Sequence, residues 1–110
     1  MNGHLTTHAL DTVAGRGASG LRVELRRDGY TLADLTLDER GRGTLSEALE
    51  TGGYELVFHL ADYHRGQGAA LSEPPFLGEV VIAFGVADPN AHYHVPIVFS
   101  PNAYSTYRGG

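Results

Sequence analysis

The segment NAHYHVPIVF, residues 90–99, alternates between two kinds of side chain and so predicts a β-strand. Side chains on a strand point to opposite faces in turn, which sorts these residues into two sets. One set is an ordinary core face: Tyr93, Val95, Ile97 and Phe99. The other set mixes two imidazoles with apolar groups: His92, His94, Pro96 and Val98. Because apolar groups on an outer face indicate a partner, we expect another protein surface to cover the second set.

The rest of the chain predicts an all-β fold, because short alternating segments recur between clusters of Gly, Pro and Asp. Besides the segment quoted above, the predicted strands are residues 4–10, 21–27, 30–37, 54–60, 78–84 and 103–108. Asp-Gly at 28–29 predicts a tight hairpin, and DERGRG at 38–43 predicts a second turn. LADYHRGQ at 60–67 is the candidate for a short helix. Two packed sheets of about four strands each would use this number of segments.

Length and composition narrow the class of protein. The 110 residues predict a single domain, residues 1–110. A net charge of −5, with no basic cluster beyond Arg26 and Arg27, argues against a nucleic-acid surface. The absence of cysteine excludes a disulfide framework, a thiolate metal site and a cysteine nucleophile. No apolar run is long enough to span a membrane, and MNGHLTTHAL lacks the pattern of a signal peptide, so we expect a cytosolic protein.

Histidines and one arginine are the candidate functional residues. His92 and His94 lie two residues apart on a predicted strand, so their imidazoles share a face. His8 lies in the first predicted strand, and Arg42 lies in the DERGRG turn, where loops often hold functional side chains. Imidazoles act as general acids and bases near neutral pH. A guanidinium binds a planar, carbonyl-rich anion through two parallel hydrogen bonds, so the pattern is compatible with acid–base chemistry on such an anion.

The residues leave two other interpretations open. Surface histidines and a turn arginine are commonly solvated groups without a function, and His4, His59 and His64 have no evident partner in the sequence. His-x-His on a strand, with a third histidine, is also permissive for an open zinc site. Since no carboxylate is placed to orient the imidazoles, we favour acid–base chemistry over a metal site.

Three segments carry a resemblance to a known family: LTTHALDTVAGRGASGL at 5–21, GGYELVFHLADY at 52–63 and HYHVPIVFSPNAYSTYRGG at 92–110. They resemble the 5-hydroxyisourate hydrolases, the transthyretin-related enzymes of purine breakdown. The resemblance runs across nearly the whole chain in the family's order, and its C-terminal segment is the specific part. It implies a prealbumin-like sandwich of two four-stranded sheets with one short helix. It also implies a homotetramer with active sites between dimers, in which another subunit covers the face that carries Pro96 and Val98.

Carried over by position, the resemblance implies three catalytic residues: His8, Arg42 and His94. It implies five substrate-binding positions: His92, Tyr107, Arg108, Gly109 and Gly110. The chain departs from the family at Gly110, where the family usually has a serine whose hydroxyl lies in the site. It departs again in the turn, which reads DERGR where DGR is common, so Arg40 competes with Arg42 for the site.

The implied reaction is hydrolytic opening of the six-membered ring of 5-hydroxyisourate, which gives 2-oxo-4-hydroxy-4-carboxy-5-ureidoimidazoline. Attack of water on a ring carbonyl needs a base, and we favour His8 on the base side with His94 as its partner. Arg42 or a protonated histidine can stabilise the oxyanion, and Arg108 can bind substrate oxygens. The resemblance implies no cofactor and no metal. The competing interpretation is a non-catalytic carrier of the transthyretin type, which lacks the histidine, arginine and histidine at the three matching positions.

Overall fold

The structure is a computed structural model that describes residues 4–109. Within that range the chain forms ten strands and one helix: β1 (Leu5–Asp11), β2 (Arg16–Gly17), β3 (Arg22–Arg27), β4 (Tyr30–Thr36), β5 (Arg42–Ser46), β6 (Gly52–His59), α1 (Leu60–Gly66), β7 (Glu79–Val86), β8 (Tyr93–His94), β9 (Ile97–Ser100) and β10 (Ala103–Thr106). The short helix predicted at residues 60–67 is confirmed as α1. In this described part of the chain, no helix has the length and apolar character needed to cross a membrane.

The first sheet is built around β1. Along one edge, β1 pairs antiparallel with β5 and then with β2. Along the other edge, it pairs parallel with β8 and then with β9. β10 completes the sheet by pairing antiparallel with β9. The six strands therefore occupy four rows, because β5 and β2 share one row and β8 and β9 share another.

The predicted strand at 90–99 forms as two strands, β8 and β9, with Val95 and Pro96 between them. The Val95 amide donates to the Thr6 carbonyl at 2.9 Å, so the chain stays beside β1 at this point. Proline has no N–H to give to a ladder, and regular pairing resumes at Ile97. The predicted core face of this segment is confirmed, since four of its side chains are at most 6% exposed: Tyr93, Val95, Ile97 and Phe99.

The second sheet has the order β4-β3-β6-β7, with every neighbouring pair antiparallel. β3 and β4 form the hairpin predicted from the Asp-Gly pair. Asp28 and Gly29 have φ angles of 52° and 82°, the left-handed values that a two-residue type I′ turn requires. One hydrophobic core includes buried residues from both sheets, among them Leu5, Ala9, Val23, Leu25, Leu56, Phe58 and Ile97. The predicted all-β sandwich of two sheets with one short helix is confirmed.

β5 is the main departure from the sequence-based expectation. The DERGRG segment at 38–43 was expected to be a turn, but the strand begins at Arg42 and runs to Ser46. Leu45 is its one buried side chain, so the strand shows no alternation that a pattern could detect. Pairing with β1, rather than local preference, determines its conformation. This pairing places Arg42 on a strand, beside the first strand of the chain.

Candidate active site

The pairing of β1 with its two neighbours assembles the site. His8 of β1 lies directly opposite Arg42 of β5, and Thr6 of β1 lies opposite His94 of β8. Thr6 and His8 are two residues apart, so their side chains emerge on the same face of the sheet. Leu5, Thr7 and Ala9 alternate with them and are buried. Three neighbouring rows therefore present Arg42, His8, Thr6 and His94 together on the outer face of the first sheet.

The Thr6 hydroxyl holds two of the imidazoles in place. Its Oγ1 lies 2.8 Å from Nδ1 of His94 and 2.8 Å from Nε2 of His92. The two rings have centroids 6.2 Å apart and are tilted by 49°. Nothing in the sequence pattern predicts this role for Thr6. The signal that was available is its two-residue spacing from His8, which places it on the same face.

Gly109 packs directly against the His94 ring. Its amide donates to the His94 carbonyl at 2.7 Å. This hydrogen bond belongs to an isolated antiparallel bridge between Gly109, which follows β10, and His94 of β8. A Cβ at position 109 would lie 2.6 Å from Cδ2 of His94, a distance that real side chains do not tolerate. Only glycine fits there without moving the imidazole. The residue expected to bind substrate is thus placed where it sets the position of His94.

The turn before β5 orients both Arg42 and His8. One oxygen of Asp38, Oδ1, accepts the backbone N–H groups of Arg42 and Arg40, each at 2.9 Å. These two hydrogen bonds lower the pKa of Asp38 below its usual value. The Arg40 carbonyl lies 3.1 Å from Nε2 of His8; because a carbonyl only accepts, Nε2 of His8 carries the proton. Arg40 thus contributes its backbone to the site.

An open pocket of about 620 Å³ lies over this part of the sheet. Its volume is within the range of small-molecule sites. The residues that line it include several with hydrogen-bonding groups: Thr6, Asp38, Arg42, Thr44, His92 and His94. Arg42 is among the residues that line this pocket. The room and the polar lining suit a small, hydrogen-bonding ligand.

His94 has the electrostatic character of a neutral imidazole. Its partial burial, and then the charges of His92, His8 and Arg42, lower the pKa of His94 below its ordinary value. At neutral pH His94 is therefore uncharged and can accept a proton. Its Nδ1 is engaged by Thr6, which leaves Nε2 as the nitrogen available for chemistry.

Tyr107 and Arg108 lie in a neighbouring pocket. The Arg108 guanidinium stacks 4.2 Å from the centroid of the Tyr93 ring, and its Nη2 is 3.5 Å from the His92 carbonyl. With Tyr107 it lines an apolar pocket of about 320 Å³, beside Phe84 and Tyr93. Of the predicted site residues, the sheet brings together the side chains of His8, Arg42, His92 and His94, with Gly109 behind His94. Gly110 lies outside the described residues.

Polar neighbours around the imidazoles are hydroxyl and carbonyl groups. Among residues 4–109, no group of three histidine, aspartate or glutamate side chains has an arrangement that could hold a metal ion. The contacts on the histidines come from Thr6 Oγ1 and from the Arg40 carbonyl. These partners hold the orientation of the rings, and the Arg40 carbonyl also places the proton of His8 on Nε2, as acid–base chemistry requires.

A sequence model described as the HIUase/Transthyretin family matches residues 5–109. The chain belongs to this family. The 5-hydroxyisourate hydrolase 2 of Rhizobium meliloti (strain 1021) is 47% identical over 116 residues, which cover 98% of this chain and 97% of that protein. The solved Klebsiella pneumoniae 5-hydroxyisourate hydrolase has a TM-score of 0.85 and 35% identity, covering 97% of this chain and 99% of that chain. Sea bream transthyretin in complex with thyroxine has a TM-score of 0.82 at 24% identity, and the match covers 96% of this chain and 93% of that chain. At this identity the likeness shows the fold alone.

Membership in the HIUase/transthyretin family confirms the resemblance seen in the three sequence segments.

The three remaining histidines contact other side chains of the fold. His59 is buried and its Nε2 lies 2.6 Å from Oε2 of Glu24, so it has a partner that the sequence did not reveal. His64 is buried against Tyr63 and Phe99. The His4 ring meets the His92 ring edge-on at 6.2 Å, which places it at the border of the site.

Proposed function

We propose that the chain hydrolyses 5-hydroxyisourate to 2-oxo-4-hydroxy-4-carboxy-5-ureidoimidazoline. The observation that carries this proposal is the convergence of His8, Arg42 and His94 on one face of the first sheet. These are the three positions that the resemblance to the hydrolases marks as catalytic. Relatives named 5-hydroxyisourate hydrolase, 47% identical in one case over nearly the full length, support the same activity.

The proton acceptor in this proposal is His94. The attacking water must lose a proton, and a neutral imidazole with a free nitrogen can take it. The lowered pKa of His94 keeps it neutral, and Thr6 leaves its Nε2 free. These contacts favour His94 for the base side, where the sequence analysis had favoured His8. His8, held by the Arg40 carbonyl, is the second imidazole at the site. The proton taken from water passes on to the nitrogen that leaves the carbonyl carbon, so the imidazoles carry the same charge before and after turnover.

Arg42 stabilises the charge that develops during attack. As water adds to the ring carbonyl, the oxygen becomes an oxyanion and needs donors already in position. Arg42 lies opposite His8 in the register of β1 and β5 and lines the pocket. Its guanidinium presents several N–H groups in a fixed plane. The tetrahedral centre then collapses, the carbon–nitrogen bond breaks, and a carboxylate replaces the ring carbonyl. This sequence needs water and no cofactor.

The proposal includes a homotetramer of single-domain subunits, residues 1–110, acting in the cytosol. Pro96, expected on the outer face with Val98, is buried within the subunit, so the partly exposed apolar side chains beside the site are Leu10 and Val98. A second dimer packed on that face would cover these groups and enclose the pocket. In the enclosed site, Tyr107, Arg108 and the C-terminal Gly110 bind substrate, as the resemblance implies.

The test is the initial rate of loss of 5-hydroxyisourate freshly generated from urate by urate oxidase. We expect the purified protein to exceed a blank measured at the same pH, since the substrate also decays without a catalyst. Dialysis against a chelator should leave the rate unchanged; a loss that zinc restores would support the metal-site alternative. Thyroxine binding by folded protein that does not turn over substrate would favour the carrier and contradict the hydrolase.

A further inference from the structure

The Thr6 hydroxyl lies between two imidazoles, His92 and His94, and couples the protonation of one ring to that of the other. Oγ1 lies 2.8 Å from Nδ1 of His94 and 2.8 Å from Nε2 of His92. A threonine hydroxyl has one proton to donate and two lone pairs that accept. Between two neutral rings it donates to one and accepts from the other. The position of the proton on His94 therefore determines the position of the proton on His92.

Two arrangements satisfy both hydrogen bonds. In the first, Thr6 donates to Nδ1 of His94 and accepts from Nε2–H of His92, so that the proton of His94 is on Nε2. In the second, Nδ1–H of His94 donates to Thr6, and Thr6 donates to Nε2 of His92. Nε2 of His94 is then an unprotonated acceptor, which is the state that a general base needs.

We propose that Thr6 is a positioning residue that holds His94 in its base-competent tautomer and relays the captured proton to His92. This inference rests on the proposed hydrolysis. The proton from water first binds Nε2 of His94. The Nδ1 proton of His94 then moves to the Thr6 oxygen while the Thr6 hydroxyl proton moves to Nε2 of His92. His94 ends neutral, His92 ends as an imidazolium, and Thr6 keeps one hydroxyl proton, so only bonds to hydrogen change.

The surroundings favour this direction of transfer. Within the subunit His92 is exposed and His94 is partly buried, so burial by the subunit's own residues opposes a positive charge less on His92 than on His94. His8 and Arg42 add positive charge near His94 and oppose its protonation. Asp38 also lines the pocket, and the backbone N–H groups of the turn occupy one of its oxygens. The edge of the His4 ring approaches His92, 6.2 Å between centroids.

The kinetic test compares Thr6→Val, which keeps the shape and removes the hydroxyl, with Thr6→Ser, which restores it. We expect Thr6→Val to lower kcat by about tenfold to a hundredfold, the usual loss when a group that orients a reactive imidazole is removed, with KM nearly unchanged. Thr6→Ser should recover most of the rate. The matched control is Thr12→Val, because the Thr12 hydroxyl donates only to the Phe99 carbonyl, at 3.0 Å. It should keep the wild-type kcat.

A double-mutant cycle separates a relay from two unrelated contacts. His92→Phe removes the terminal acceptor, so it should lower kcat by a similar factor. Residues that act as a unit give non-additive losses, so Thr6→Val combined with His92→Phe should be no slower than the slower single variant. Losses that multiply in the double variant would overturn the relay.

The decisive readout needs no substrate: imidazole nitrogen chemical shifts measured by NMR on the free protein. The wild type should show His94 protonated at Nδ1, and Thr6→Val should shift that proton to Nε2. A wild-type His94 protonated at Nε2 would overturn the inference, even if Thr6→Val failed to fold. Equal kcat for Thr6→Val and Thr6→Ser would overturn it as well. A protein that does not hydrolyse 5-hydroxyisourate would contradict the proposed function, and the tautomer result would still decide the role of Thr6.

Discussion

Two arginines two residues apart have different roles at the residue scale. Arg42 presents its side chain to the pocket, and Arg40 presents its carbonyl to His8. We predict that Arg42→Ala lowers turnover by about 10²–10³-fold, the loss typical of a missing oxyanion donor. Arg40→Ala is the matched control and should change turnover by less than about threefold, because any residue supplies a backbone carbonyl. A silent Arg42→Ala with a severe Arg40→Ala would reverse the assignment, and kcat/KM for both variants decides it.

Gly109 gives a second residue-scale prediction. An alanine Cβ at this position would lie 2.6 Å from Cδ2 of His94, so the imidazole must move from its position. A displacement of about 1 Å at a reacting group commonly costs about a hundredfold, and we expect Gly109→Ala to lose about that much turnover. The matched control is Gly53→Ala, where a Cβ meets nothing within 4 Å. Wild-type turnover in Gly109→Ala, measured with the same assay, would show that His94 tolerates displacement.

Pattern alone identified the histidines but not what holds them. Alternation placed His92 and His94 on one outer face, and that placement needs only the two-residue period of a strand. Alternation also places Thr6 on the face of His8, but it gives Thr6 no role, because only the pairing of β1 with β8 brings its hydroxyl between the two rings. His59 seemed unpartnered for the same reason, since Glu24 is 35 residues away in sequence. Long-range partners of this kind follow from sheet register, which a local pattern does not contain.

At the scale of elements, one buried contact fastens α1 to the end of β1. The Tyr63 hydroxyl donates to Oδ2 of Asp11 at 2.7 Å, and both residues are buried. Burial alone would raise the pKa of Asp11, but hydrogen bonds from Tyr63 and from the N–H groups of Ala14 and Val13 outweigh it, and the net pKa is lowered. Burial and the bond to Asp11 raise the pKa of Tyr63 to about 12.

We predict that Tyr63→Phe lowers the free energy of unfolding by about 1.5–3 kcal/mol at pH 7, the value of a hydrogen bond to a charged group. A carboxyl whose pKa is lowered in the folded state stabilises that state above its unfolded pKa and loses this contribution as pH falls through its folded pKa. The difference between wild type and variant should therefore shrink below pH 3.8, the unperturbed value for Asp11. Urea unfolding of both proteins at several pH values measures this difference in free energy. A difference that does not change with pH would contradict a hydrogen bond from Tyr63 to an ionised Asp11.

Elements with a regular pattern were predictable and elements without one were not. The sequences of β3 and β6 alternate, so their inward residues Val23, Leu25, Leu56 and Phe58 were predictable. The burial of Glu24, Val57 and His59 on the opposite face was not, because alternation assigns them to the outside. β5 has one buried side chain, Leu45, and its strand conformation depends on β1. The segment at 90–99 was predicted as one strand because alternation continues through Pro96. The missing N–H of that proline divides it, and this is a backbone property that side-chain alternation does not record.

At the scale of the whole molecule, the proposed tetramer depends on the outer face of the first sheet. Val98 is partly exposed on that face, so Val98→Glu places a charge where a second dimer is expected to pack. We predict that sedimentation shows about four times the chain mass for the wild type at micromolar concentration and a smaller species for Val98→Glu. Leu32→Glu is the matched control, because Leu32 is 55% exposed on β4 of the other sheet. A wild-type monomer with full activity would contradict the shared interface.

The pH dependence of turnover follows from His94. Its pKa is lowered from the ordinary 6.5, so the neutral imidazole persists as pH falls to and below that value. We expect the fall of kcat with acid to have its midpoint below pH 6.5, because His94 stops accepting a proton once it is charged. The dependence of kcat on pH in His94→Asn tests this expectation, because the variant keeps a polar side chain of similar size and removes the titrating group.

The most direct measurement is the initial rate of 5-hydroxyisourate loss for wild type, His94→Asn and a protein-free blank at one pH. The predicted result is a wild-type rate well above the blank and a rate for His94→Asn that is lower by about 10²–10⁴-fold, the contribution of a general base. Circular dichroism and sedimentation should be the same for both proteins. A wild-type rate equal to the blank would contradict the hydrolase, and equal rates for wild type and His94→Asn would contradict the site on the first sheet.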